Sequence, residues 1–71
     1  MIYILTGDYE EAIICATQNG LSGNQWRFAS DIVKGSKGEI WRYGNYWINP
    51  FYHEINDLII NAKLPEVNKN Q

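Results

Sequence analysis

"EIWRYGNYWINPF", residues 39–51, sets five aromatic side chains around a Gly44-Asn45 pair. Read as a hairpin, Gly44-Asn45 is an accepted two-residue turn that pairs Tyr43 with Tyr46. Trp41, Tyr43, Tyr46 and Ile48 then share one face, and Ile40, Arg42, Trp47 and Asn49 the other. Read as a parallel strand, pairing stops at Tyr43 or Gly44, and "GNYWINP" becomes the loop before the last helix. The hairpin must end its second strand at Asn49, where that helix needs its cap. The remainder of the chain has to decide between them.

Upstream, "IYIL" (Ile2 to Leu5) is a short continuous apolar run, suited to a strand buried on both faces. Asp8 and Glu11 are spaced as a capping box for a helix, with acidic residues in its first turn. Tyr9, Ala12, Ile13 and Ala16 recur at helical spacing, and Gly20 followed by Leu21 predicts a Schellman ending. "WRFA" is a second strand, and Ser30 and Asp31 cap one or two helical turns over "DIVKG". Downstream of the opening stretch, Asn49 is a good N-cap and Pro50 fits the first helical position. Ile55, Leu58, Ile59 and Ala62 form that helix's apolar face. The two long helices are expected near residues 8–19 and 50–63.

Strands thus alternate with helices, which favours an α/β domain built on a small three-stranded parallel sheet of order 2-1-3 with two main helices. The alternative is an α+β fold with a hairpin over residues 39–49. Residues 1–65 form the single domain, and 66–71 read as a polar, disordered tail.

With 71 residues there is room for one core only, and so small a domain gains from self-association. A composition of 45% hydrophobic, 14% aromatic and 20% charged residues is that of a folded chain. No apolar run approaches a membrane span, the start has no basic n-region, and Cys15 is the only cysteine. These features predict a cytoplasmic protein without membrane contact. The net charge is −2, with a mildly basic centre (Arg27, Lys34, Lys37, Arg42), too sparse for a phosphate-backbone footprint.

"TGDYEEAIICATQNGL", then "WRF", then "GSKGEIWRYGNYW..P" resembles a family of small uncharacterised bacteriophage-encoded α/β proteins. The resemblance spans residues 3 to about 60 and rests on short structural motifs: a TG-x-Y-x-x-A helix, a WR-aromatic strand and a YG-x-Y-W loop. That family is more basic near the second turn than "DIVKGSKG". The resemblance implies an accessory protein of the infected bacterial cytoplasm and carries no activity with it.

In an open parallel sheet, ligands favour the carboxyl ends of the strands where the strand order reverses. That rule predicts a crevice with Thr6, Gly7, Asp8 and Tyr9 facing Gly44, Asn45, Tyr46 and Trp47. Trp, Tyr and Arg anchor protein interfaces, so the favoured role is binding another protein, or a second copy as a homodimer. The contact residues are Tyr46, Trp47, Asn45, Arg42, Tyr9 and Asp8, with Trp47 exposed and Trp41 buried. The alternative is single-stranded nucleic acid stacked on Trp26, Arg27, Trp41 and Arg42, helped by Lys34 and Lys37; the acidic net charge makes it the weaker reading. His53, Glu54 and Asp57 make a solvated helix face rather than a metal site, and Cys15 a packing residue rather than a nucleophile. No enzyme activity, cofactor or metal is expected.

Overall fold

The computed structural model describes residues 1–33 and 35–69. Its elements are β1 (Ile2–Leu5), α1 (Tyr9–Gln18), β2 (Trp26–Phe28), β3 (Glu39–Arg42), α2 (Tyr52–Ala62) and β4 (Glu66–Asn68). Short 3-10 turns cover Ala29–Asp31 and Tyr46–Ile48. All pairings are parallel and the strand order is β2-β1-β3-β4. The opening stretch is therefore a strand and a loop, not a hairpin. Glu39–Arg42 pairs with β1, Ile4 lying against Trp41 and Leu5 against Arg42.

Alternation along β1 feeds two cores, as expected of a strand covered on both faces. Tyr3 and Leu5 join Ala29, Ile32, Ile40, Ile55, Ile59 and Leu64 beneath α2. Ile4 joins Ala12, Cys15, Ala16, Trp26, Trp41 and Tyr43 beneath α1. The chain moves from β1 outward to β2, then the opposite way to β3 and β4. Right-handed crossovers in opposite directions place the two helices on opposite faces.

The first helix takes the predicted Asp8 cap, while the Glu11 side chain, expected to complete a capping box, lies against Gly44. The Asp8 carboxylate accepts from the Glu11 N–H at 2.8 Å. At the other end Gly20 has φ 69°. Leu21 N–H donates to the Ala16 carbonyl at 2.9 Å and Gly20 N–H to Thr17 at 3.1 Å, completing the Schellman pattern.

Three expectations need correction. The sheet has four strands rather than three, because Glu66–Asn68, read as tail, pairs with β3. Backbone hydrogen bonds do this with little help from hydrophobic pattern: Ile40 N–H donates to the Pro65 carbonyl and Lys69 N–H to the Arg42 carbonyl, both at 2.8 Å. The Arg42–Glu66 ion pair at 2.7 Å and the Lys69 ammonium 4.3 Å from the centre of the Trp41 ring pin the strand. Second, α2 starts at Tyr52, not Pro50. Asn49 caps a preceding turn instead, its Oδ1 accepting from Phe51 N–H at 2.8 Å and its carbonyl from Tyr52 N–H at 3.0 Å. Third, the short helix lies at Ala29–Asp31 rather than over "DIVKG", because Ala29 turns inward to the α2-side core directly after β2.

Since Val67 and Lys69 cover Trp41, a chain ending at Pro65 should show red-shifted tryptophan emission and lose about 2 kcal/mol of stability in urea. Unchanged emission would mean that β4 does not shield this indole.

Candidate functional site

The carboxyl ends of β1 and β3 meet where the crevice was expected, but they close on each other. A Cβ on Gly7 would lie 2.9 Å from Ile48 Cγ1 and 3.0 Å from the Asn45 carbonyl oxygen. Only glycine permits that approach. Asn49, 6% exposed, locks it by donating from Nδ2 to the Thr6 carbonyl at 2.9 Å. The Thr6 hydroxyl donates to the Asp8 carbonyl. Behind this seam the Glu11 carboxylate lies against Gly44, whose φ of 62° also suits glycine. Between the two predicted loops there is thus a packed seam rather than an open crevice.

Sealing the seam displaces the concave surface to the β2 side of the first loop. A cleft of about 200 Å³ runs between Tyr9, Phe28, Pro50 and Phe51, with Gly7 at its base. A second, of about 360 Å³, follows the outer edge of β2 past Trp26, Arg27 and Phe28 to Asp31. The two share Tyr9 and Phe28. Tyr9 stacks on Trp26 with ring centres 5.9 Å apart and meets Phe28 edge-on at 5.7 Å.

Large apolar side chains crowd this end of the sheet. Tyr9, Trp47 and Phe51 are each 57% exposed and Ile48 is 61% exposed. Tyr46 supports the Trp47 ring edge-on at 5.2 Å and is itself held by Tyr52 at 6.0 Å and the Arg42 guanidinium at 5.1 Å.

Of the six residues proposed for partner contact, Asp8, Tyr9, Asn45 and Trp47 are exposed, and Tyr46 is half-buried as their support. Arg42 is committed elsewhere. Its Nε faces Glu66 and its Nη2 donates to Asn56 Oδ1 at 3.0 Å, so it ties β3 to β4 and α2. The Asp8 carboxylate is likewise occupied by its capping bond. Four contributors escaped the sequence reading: Phe28, Ile48, Pro50 and Phe51. Phe51 carried no usable signal, since it stands four residues before Ile55 and its spacing continues the apolar stripe of α2 through Ile55 and Ile59.

The nucleic-acid set does not assemble into one platform. Trp26 and Trp41 are buried at 9% and 8% exposure, and β1 separates their strands. Trp41 is further occupied by Lys69 on its ring and by Glu39, which accepts from its Nε1 at 2.7 Å. Arg27 and Lys37 are exposed, and Lys34 lies outside the described residues.

Cys15 and His53 stand on opposite faces of the sheet, Cys15 packed beneath α1 and His53 exposed on α2, so they form no catalytic pair. Desolvation by burial pushes the Cys15 thiol above its ordinary value, partly opposed by the positive charge of Lys69. Among the described residues no three His, Cys, Asp or Glu side chains are grouped to hold a metal ion, and no helix is long and apolar enough to cross a membrane.

The chain is thus a small doubly wound parallel α/β domain with an aromatic carboxyl edge. Compared with known proteins, it matches no family model, no curated protein and no solved structure.

Two outcomes follow from this geometry. Asn49→Ala removes the buried bridge between the loops and strands the Thr6 carbonyl, so it should cost about 2–3 kcal/mol in a denaturant titration. A loss under about 0.5 kcal/mol would show that the seam does not depend on it. The raised thiol value means that folding favours the neutral form of Cys15. Its contribution is complete below the unfolded-state thiol pKa and declines as pH rises through the higher folded value. Cys15→Ala should therefore flatten the alkaline fall of stability measured by urea midpoint against pH.

Proposed function

We propose that this chain is a small non-enzymatic accessory protein of bacteriophage type, acting in the bacterial cytoplasm, which binds another protein through its aromatic carboxyl edge as a regulator or inhibitor. One observation carries this reading. Tyr9, Trp47, Ile48 and Phe51 are each more than half exposed at one end of a chain whose two cores are already filled. Single exposed apolar residues are ordinary on protein surfaces, but a concentration of aromatic ones around a cleft is the usual mark of a docking site. Tyr46, braced by Arg42 and Tyr52, holds Trp47 in place before any partner arrives, which lowers the ordering cost of binding. The same edge can serve a second copy of the chain.

The test is affinity capture from bacterial lysate with the tagged chain, with and without nuclease, against Trp47→Ala and Phe51→Ala. The expected result is one stoichiometric protein retained after nuclease and lost with either substitution. Each substitution should shift stability by under about 1 kcal/mol, as surface changes usually do. Capture abolished by nuclease alone would favour the nucleic-acid reading, and capture indifferent to both substitutions would remove the aromatic edge from the function.

A further inference from the structure

The outer edge of β2 presents a backbone that nothing in the described chain completes. Ile2 N–H donates to the Gln25 carbonyl, and the register places Ile2 against Trp26 and Ile4 against Phe28. In a parallel ladder, alternate residues face the neighbouring strand. Gln25, Arg27 and Ala29 therefore face β1, and the N–H and C=O groups of Trp26 and Phe28 point outward. Among the described residues no backbone or side-chain group bonds to the Trp26 N–H, the Trp26 carbonyl or the Phe28 N–H, while the Phe28 carbonyl opens the 3-10 turn Ala29–Asp31. The 360 Å³ cleft lies along this edge, between the aromatic side chains of Tyr9, Trp26 and Phe28 on the α1 face and Arg27 on the other. Arg27 is exposed, and among the described residues the one ion pair is Arg42–Glu66, so its charge is free. The cleft shares Tyr9 and Phe28 with the aromatic edge and runs directly into it.

Resting on the protein-binding reading above, we infer that the partner contributes an extended segment that adds to β2 as a fifth strand of the sheet. Its chemistry follows from the edge. Alternate side chains of an added strand fall on opposite faces. Those beside Trp26 and Phe28 enter the aromatic cleft and are apolar. The residue between them falls beside Arg27 and is acidic. The segment is thus apolar–acidic–apolar in an extended run. A second copy docking β2 against β2 around its centre would set Arg27 opposite Arg27 and oppose like charges, which disfavours that occupant.

The backbone at Phe28, φ −68° and ψ 145°, is already that of proline. Phe28→Pro therefore removes the outward N–H without disturbing the bonds to β1, and Phe28→Ala removes the ring while keeping the donor. A displayed library of random heptapeptides is selected on the full chain, and the best peptide is titrated against both variants, each first shown by circular dichroism to be folded. Selection should enrich the apolar–acidic–apolar pattern. The Phe28→Pro variant should bind roughly tenfold more weakly than Phe28→Ala, the effect of one net hydrogen bond. Arg27→Glu should shift the selected central residue from acidic to basic. Equal binding by the two Phe28 variants, or enrichment of a different pattern or none, would overturn strand addition. So would a dimer in light scattering that Phe28→Pro converts to monomer, since a second copy would then be the occupant. Lysate capture lost with Trp47→Ala but intact with Phe28→Pro would leave the aromatic edge standing and remove only the added strand.

Discussion

The backbone of Ile2–Leu5 bonds to β2 on one side and β3 on the other, while its side chains alternate between two cores. Four residues thus connect every other part of the domain. Ile4 and Leu5 are wholly inaccessible, and Thr6 continues the burial into the loop. Because β1 is central, the chain must leave it in one direction and return past it in the other, which sets one helix on each face. A sheet of such short strands has no redundancy. Each face of β1 is covered by a single helix of 10 or 11 residues.

That economy explains the location of the candidate site. In a larger doubly wound fold, the loops after the central strands diverge and leave a crevice between them. Here the 3-10 turn Tyr46–Ile48 folds back over Gly7, and Asn49 bonds across to Thr6. The seam spends the switch point on stability. It also turns Trp47, Ile48 and Phe51 outward, since the inward space is taken by Asn49 and the β1 loop. Exposure of these aromatics is a consequence of closure, and two clefts lie toward β2.

Much of the fold was legible because local signals agreed with the global arrangement. The Asp8 cap, the Gly20-Leu21 ending and the apolar run of β1 each named their element. Regular alternation chose the parallel strand over the hairpin, and Trp41 was correctly placed in the interior. What escaped was carried by backbone pairing or by single long-range bonds. β4 has one apolar residue, Val67, and its place is set by carbonyl and amide partners on β3 that no periodicity reveals. Asn49 was read as a helix cap because capping is the local use of such a residue. Its bond to Thr6, 43 positions away, has no local signature. Arg42 was assigned to a partner surface for its chemistry, whereas Glu66, Asn56 and Tyr46 claim it within the fold.

This domain buries Trp26 and Trp41 and displays Trp47 at its aromatic edge. Fluorine NMR of the chain labelled with 5-fluorotryptophan reads this directly, with Trp47→Phe assigning its resonance and a soluble gadolinium chelate broadening whatever solvent reaches. Strong broadening of the Trp47 signal alone is expected, with Trp26 and Trp41 nearly unaffected. Equal broadening of all three signals, or protection of Trp47 with exposure of either other indole, would contradict it.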